Sequence, residues 1–550
     1  MKQVLSGSQF FPFSKQLCFP MEGFDYSFLV NGLPQFKSSL IAVTGISTGD
    51  EGKGRTIPDV ARILRAMTGR RQIVGLVYKV NGGANSGHTA DGLKLNLLPA
   101  GVGDPDVQSL GVGRGVVADP LKFLWEGIPL EQRGYRVFDR LIIDRRAMVS
   151  DITHRILDKA QEAQRDVPRG STGRGISPAF SDEVLQHVIH FNDFAGDFAA
   201  FRTKMTTRIR RAEREAAACS RVSSKEWQSF FDSLTEAEVK ANSDSILQGV
   251  FSRSTFDFTR FCGSEPCTFN VEEVVKTYWE AGQQLRRNLG SISQRIFECQ
   301  NAQEYVVGEF GQAYWLDKRH GFSPNVTASH TNAPEYFQSA EIPVQPIHNV
   351  GVCKAYDTKV GTHVFLTEVS QGHPLGSALR HIEFGTTTGR QRMVGWFDAV
   401  EKGHVLRHSG FDDMVINKID VLTKTPALSA WDGVLQICSA YRLPSGEVTR
   451  KMPDDDSIRR KCQPVYTLCP GWSEDVSDVR SFRELPVNAQ RYLATCYAAT
   501  VVAAYGEAGW ANRDVPLLRL VGVGPDSSQV ILDAPVPGNL MAMAHPLQLS

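Results

Sequence analysis

The sequence predicts an α/β fold with a large, mostly parallel central sheet flanked by helices. Three observations predict it. Short apolar runs recur along the chain and end in Gly, Asp or Thr, and the first two are separated by a glycine-rich loop and a stretch with helical spacing. The 550-residue length leaves room for one continuous core. Units of strand, loop, helix and strand pair their strands in parallel and collect ligands at the carboxyl ends.

Residues 1–37 are rich in phenylalanine, contain no arginine and read as an N-terminal arm, with Met21 a second candidate start. One large α/β domain is expected over 38–550. "SLIAVTG" is an apolar run closed by glycine, "IPDVARILRAM" has helical spacing, and "QIVGLVYKV" is a second strand. "RLIID", "YVVGEFG", "MVINKID" and "LLRLVGVGPD" continue the pattern. From about 191 to 301 the texture turns charged and helical, which predicts a helical insertion. Its basic cluster, Arg208, Arg210, Arg211 and Arg214, is interleaved with glutamates and reads as a solvated helix face rather than an RNA site.

With 60 basic and 60 acidic residues, the overall charge asks for neither nucleic acid nor an anionic membrane. Ten cysteines are scattered, and the closest pair, Cys262 and Cys267, lacks zinc-type spacing, so reduced thiols are expected. No apolar run reaches the ~18 residues of a membrane span, and no signal pattern opens the chain. A soluble cytoplasmic protein is the expectation.

The stretch "GISTGDEGKGRT", Gly45 to Thr56, has the glycines and lysine of a phosphate cradle. It departs from the Walker pattern GxxxxGK[ST] at two places, Ser47 for the first glycine and Gly54 for the magnesium-binding hydroxyl. It also carries Asp50 and Glu51. A carboxylate among phosphates is favourable once a divalent cation lies between them, which makes Asp50 the candidate metal ligand. A second glycine-rich loop, "KVNGGANSGHTADG", puts Asn85, Gly87 and His88 after the next strand, where His88 is placed to donate a proton to developing charge. In "STGRGISPAF", hydroxyls and Arg174 suit a phosphate; in "EFGTTTGRQRMVGW", threonines beside Arg390 and Arg392 suit a small dicarboxylate. In "NKID", Asp420 suits the two NH donors on guanine's edge.

In this order the segments "GDEGKG", "GGANSGHT", "GVGRGVVADP", "STGRGISPAF", "GTTTGRQRMVGW", "NKIDVL", "PGWSE" and "VGVGPD" resemble the adenylosuccinate synthetase family, from about Ser39 to Asp533. The resemblance implies a P-loop-NTPase-like fold, magnesium, GTP as co-substrate, IMP and L-aspartate as the other substrates, and a homodimer. Residue by residue, it implies Asp50 as catalytic base and metal ligand, the Gly87 carbonyl as a second metal ligand, His88 as general acid, and Gln312 as a third catalytic residue. GTP contacts are implied at Gly49, Glu51, Gly52, Lys53, Gly54, Arg55, Gly87, Thr89, Arg392, Lys418, Ile419, Asp420 and Gly522, Val523, Gly524 and Pro525. IMP contacts are implied at Asp50, Lys53, Asn85, His88, Thr172, Gln312, Thr327, Val360 and Arg390. Aspartate contacts are implied at Thr386, Thr387, Thr388, Gly389, Arg390 and Arg392.

Departures from the family pattern stand beside these. Ser47 and Thr48 replace a usual Gln-Trp, Arg55 a common lysine, and Gln391 and Met393 frequent arginines. Most consequential is Gln186, where family members carry an arginine that reaches from the partner subunit to the IMP phosphate. Its loss removes a charge-assisted contact of about 1.5–3 kcal/mol, with His187, His190 or a residue of the insertion as candidate replacements. Two alternative functions stay open: a 2-aminoadenylosuccinate synthetase acting on dGMP, and a non-catalytic homologue that binds GTP. Asp50 favours IMP over dGMP, because the dGMP forms often carry serine there.

Overall fold

The structure, a computed structural model, describes residues 35–167, 169–219, 222–359, 363–384 and 391–548. The arm predicted over 1–37 lies outside the described residues up to position 34.

Eleven strands form the central sheet: β1 (Leu40–Gly45), β2 (Val74–Gly83), β3 (Ser109–Ala118), β4 (Leu141–Asp144), β5 (Met148–Val149), β6 (Leu289–Gly290), β7 (Tyr305–Glu309), β8 (His348–Lys354), β9 (Asp413–Asn417), β10 (Leu517–Gly522) and β11 (Val530–Ile531). Their order is β11-β10-β9-β8-β1-β7-β2-β3-β4-β6, with β5 also on β3. All pairings are parallel except β10 with β11. The predicted sheet is therefore present, as a large mixed, mostly parallel one. β1 and β2 are buried at every position, which is why they read as continuous apolar runs rather than alternating ones.

Register places the strand ends that matter at one level. Val43 of β1 pairs with Val350 of β8 on one side and Glu309 of β7 on the other, and Glu309 in turn pairs with Lys79 of β2. The loops leaving β1, β2 and β7 consequently open on the same edge of the sheet, as strand carboxyl ends do in parallel α/β folds.

The helices used below are α1 (Lys53–Thr68), α2 (Ile152–Ala163), α3 (Ile176–Val184), α4 (Phe198–Cys219), α5 (Ser224–Ala241), α6 (Val271–Leu285) and α7 (Val487–Tyr505). Helices α4 to α6 fall between β5 and β6. Their apolar faces, with Phe201, Met205, Trp227, Phe231 and Tyr278, join the same core cluster as Val77 of β2 and Val112 of β3. A second core gathers on the opposite flank around α7, which is buried nearly all round.

The basic cluster on α4 departs from the expectation of a solvated face. Arg208 is buried, pairs with Asp151 (2.8 Å) and Asp182 (3.1 Å) and donates to the Val149 carbonyl. Arg211 is mostly buried against Asp182; Arg210 and Arg214 remain exposed. The two carboxylates belong to the cap of α2 and to α3, so spacing within α4 could not reveal them. Among the described residues Cys262 carries a free thiol, and no helix is long and apolar enough to cross a membrane.

Candidate active site

The loop between β1 and α1 is locked by its own side chains. Glu51 is buried, accepts from Gly49 N at 2.7 Å and pairs with Lys53 Nζ at 2.5 Å, while Asn417 Nδ2 donates to the Glu51 carbonyl at 2.9 Å. The second carboxylate of the loop thus balances the lysine rather than facing solvent. Gly52, at φ 93°, supplies the left-handed turn into the helix. Gly54 stands where a Walker loop has its hydroxyl, and the reason is steric: a Cβ there would lie 2.6 Å from the His88 Cβ. The missing hydroxyl makes room for the histidine.

His88 opens the loop that follows β2, and its Nδ1 meets Glu309 Oε1. Glu309 also pairs with Lys79 Nζ at 2.5 Å and accepts from Ala100 N at 2.6 Å. Burial pushes the Glu309 carboxyl up, but Lys79 and His88 outweigh it and bring it down to about 2. Burial lowers the His88 pKa, with Lys79 adding to it against the pull of Glu309. An ionised Glu309 accepting from Nδ1–H leaves Nε2 as the working nitrogen. Gln312, three residues beyond Glu309, donates to Ser86 Oγ at 3.0 Å and joins the β2 and β7 loops.

These loops line one cavity of about 200 Å³, together with Thr48, Asn85, Asp158, Arg169, Thr172, Asn325, Thr327 and Arg392. That is below the ~300–1,000 Å³ usual for ligand sites, and within the lining Arg392 Nε lies 2.5 Å from Asp50 Oδ2. Asn85 Oδ1, Gln312 Oε1 and Thr327 Oγ1 are buried without a hydrogen-bond partner, and each is a costly atom to leave unpaired. Asp50 (φ 58°) and Gln312 (φ 57°) also hold left-handed backbone that non-glycine residues rarely adopt. Orphaned polar atoms and strained backbone in one cavity are the marks of a binding site.

The wall formed by 169–177 is pinned from α2. Asp158 accepts from Ser171 Oγ at 2.7 Å and Gly175 N at 3.1 Å, and Glu162 accepts from Gly170 N at 2.6 Å. Arg174, read from sequence as a phosphate clasp, is instead buried against Glu238 of α5, which also holds Arg155 at 2.9 Å. Helix α5 therefore supplies the counter-ion that fixes this loop. Burial raises the Glu238 carboxyl, but Arg174 and Arg155 drive it far below its ordinary value.

A second cluster stands at the ends of β9 and β10. Lys418, at φ 64°, follows β9 and pairs with Glu383 at 2.7 Å. Ile419 is buried and its NH donates to the Gly522 carbonyl at 3.2 Å, tying "NKID" to the turn that holds Val523, Gly524 and Pro525. Asp420 Oδ1 is buried without a partner, and burial raises that carboxyl. Glu383 binds Lys354 (2.8 Å), Lys418 and Tyr356; burial opposes its charge, yet the two lysines hold it at about 2. Arg55 does not face the cavity: it holds the carbonyls of Gly524, Asp526 (2.8 Å) and Gln529 (2.7 Å). Thr89 lies on a short hairpin, exposed, beside His88. Val360, Thr386, Thr387, Thr388, Gly389 and Arg390 lie outside the described residues.

Sequence reading missed Glu309, Lys79, Glu238, Glu383 and Arg169. Only Glu309 left a signal, an acidic residue closing the apolar run of β7 just before Gln312. Lys79, Glu238 and Glu383 act through partners distant in sequence, and Arg169 is singled out only by its place in the cavity lining.

The adenylosuccinate synthetase family model matches residues 42–244 and 244–505. The chain is 32% identical over 499 residues to adenylosuccinate synthetase from Bacillus cereus (strain ZK / E33L), covering 89% of this chain and 97% of that protein. It is 30% identical over 502 residues to adenylosuccinate synthetase from Desulforamulus reducens, covering 90% and 98%. The structure of fully ligated adenylosuccinate synthetase from Plasmodium falciparum has the same fold at TM-score 0.70, with 24% identity, covering 90% of this chain and all of that one. With its strand-end loops, motif order and nearly whole length in agreement, the chain belongs to the adenylosuccinate synthetase family.

Proposed function

We propose that this protein joins L-aspartate to IMP, using GTP, to give adenylosuccinate, GDP and phosphate. The observation that carries the reading is the convergence of Asp50, His88 and Gln312, each from a different strand-end loop, on one cavity with orphaned polar atoms.

The chemistry follows from what these residues offer. The 6-oxygen of IMP is a poor leaving group. Asp50 takes the N1 proton, the electron pair shifts to O6, and O6 attacks the γ-phosphorus of GTP as the bond to GDP breaks. His88 donates through Nε2 toward the transferring phosphoryl, with Glu309 holding the ring from Nδ1. Gln312, anchored on Ser86, presents its free Oε1 to the purine. The aspartate amine then adds to carbon 6, phosphate departs with the former O6, and the nitrogen gives up a proton. Lys53 and the β1 loop receive phosphates. Lys418 and Asp420 read guanine, and residues 386–390 with Arg392 hold the aspartate carboxylates.

The family uses GTP and magnesium. The donors here fit a hard cation, a loop carboxylate (Asp50) with a carbonyl (Gly87), and so few protein ligands suit an ion that takes its remaining oxygens from water and phosphates. When bound, magnesium neutralises the phosphoryl oxygens and the departing diphosphate. Arg55, turned to the Gly524–Gln529 carbonyls, orders the guanine-side turn rather than meeting a phosphate. The loop leading into α1 supports a P-loop-like kinship, and the proposal further takes 38–550 as one domain with an insertion at about 191–301 in a cytoplasmic homodimer.

The test is turnover with GTP, magnesium and aspartate, adding IMP or dGMP. Phosphate release only with IMP is the expected result, with 18O from the purine carbonyl appearing in the phosphate. Turnover of dGMP alone would overturn the substrate assignment, and GTP binding without consumption would overturn the catalytic one.

A further inference from the structure

We infer that Arg169 supplies, from within the same chain, the cation that meets the 5′-phosphate of the purine nucleotide, in place of an arginine from a partner subunit. The inference rests on the IMP reading above and adds to it which residue holds the phosphate.

Four basic side chains line the cavity: Lys53, His88, Arg169 and Arg392. Lys53 is paired with Glu51, His88 with Glu309 and Arg392 with Asp50. Among the described residues, the guanidinium of Arg169 has no hydrogen bond and no ion pair, although it is half-buried. An unpaired guanidinium on a cavity wall loses water contacts without gaining a partner, so it favours an anionic ligand. Asp158, the nearest candidate counter-ion in the lining, has both oxygens committed to Ser171 and Gly175; burial raises its carboxyl and Arg169 is among the groups that draw it back.

The same loop carries a second arginine, and their fates differ. Arg174 is consumed by Glu238 beneath the loop, which leaves Arg169 as the loop's free charge on the cavity side. Asp50, His88 and Gln312 must address the purine ring and the incoming phosphoryl group, so the ribose phosphate falls to the other wall. That wall holds Thr172, Asn325 and the unpartnered Thr327 hydroxyl beside Arg169. Gln186, meanwhile, is exposed just beyond α3 and outside the cavity lining; His187, also exposed, and the half-buried His190 lie outside that lining too. A neutral amide at 186 is tolerated because the charge has moved to 169.

Calorimetric titration of the full chain with IMP and with inosine, which lacks the phosphate, separates the possibilities. R169Q is expected to weaken IMP about ten- to a hundredfold while leaving inosine within twofold, the size of one charge-assisted contact. R169K, which keeps the charge but not the fork, is expected to recover part of the loss and serves as the control for folding. Equal losses for IMP and inosine in R169Q, or no loss of either, would overturn the inference, as would a larger IMP loss in Q186A than in R169Q. Wild-type protein that binds neither ligand would overturn the IMP reading itself, which is a different failure.

Discussion

Arg392 and Asp50 form an ion pair across the mouth of the cavity, Nε to Oδ2 at 2.5 Å, without hydrogen-bond geometry. The proposed base and metal ligand is thus held by the residue proposed to bind aspartate and GTP. Asp50 keeps a quarter of its side chain exposed, while the paired Oδ2 and Nε atoms are themselves buried. D50N is expected to cut kcat roughly 10²–10⁴-fold and to abolish Mn²⁺ binding followed by electron paramagnetic resonance. In R392Q the same Mn²⁺ titration should tighten without nucleotide, because a competing cation is gone. Unimpaired turnover in D50N would contradict the role given to that carboxylate.

Gly54 answers a question about the loop that motif matching leaves open. G54S restores the Walker hydroxyl, yet its Cβ would stand 2.6 Å from His88 Cβ and 3.0 Å from the Thr89 carbonyl. Crowding of this kind costs about 1–3 kcal/mol. The expected outcome is lower thermal stability and a fall in kcat, read from unfolding curves and phosphate release. Activity at or above wild type would show that the loop follows Walker logic after all.

The Glu309 carboxylate sets the charge of His88. In the unliganded protein, burial and Lys79 place the His88 midpoint below its ordinary 6.5, so the imidazolium form is lost as pH rises through that lowered value. E309Q removes the carboxylate that raises it and is expected to lower the midpoint further, as measured by imidazole NMR titration. GTP with magnesium should move the wild-type midpoint, because phosphate charge and metal charge both approach Nε2. An unchanged midpoint in E309Q would separate the two residues.

Glu238 lies on α5, far in sequence from the loop it holds. Removing one partner of a buried ion pair typically costs about 3–5 kcal/mol, and here two arginines lose theirs. E238Q is expected to lower stability by about 3 kcal/mol in urea unfolding and to raise the KM for IMP more than that for GTP. Equal rises in both would mean a general loss of structure.

Sensitivity to acid follows from histidines buried in neutral form. Burial takes His363 down to about 2 and His404 to about 4. Between about pH 6.5 and 4 the unfolded chain takes up protons that the folded chain refuses, so stability declines as pH falls through that window. H404Q is expected to flatten this part of a plot of urea midpoint against pH.

Much of the parallel sheet was legible because β1 and β2 are buried on both faces and leave uninterrupted apolar runs. The loops carrying Asp50 and His88 were legible because each follows a strand, whereas Gln312 entered only through the family resemblance. The reading of α4 failed at Arg208, since a helix's own spacing shows interleaved glutamates but not the Asp151 and Asp182 carboxylates of other elements. It failed at Arg174 for the same reason, with Glu238 sixty-four residues away.

The sequence by itself determined the family, the alternation of strands and helices, and the residue types available for phosphoryl transfer, because these depend on local pattern and on order along the chain. Only the tertiary structure decided which charges are already spent. Lys53, Arg55, Arg174 and Arg392 are engaged, and Arg169 has no hydrogen bond or ion pair among the described residues, because pairing depends on distances between elements that no spacing along the chain encodes.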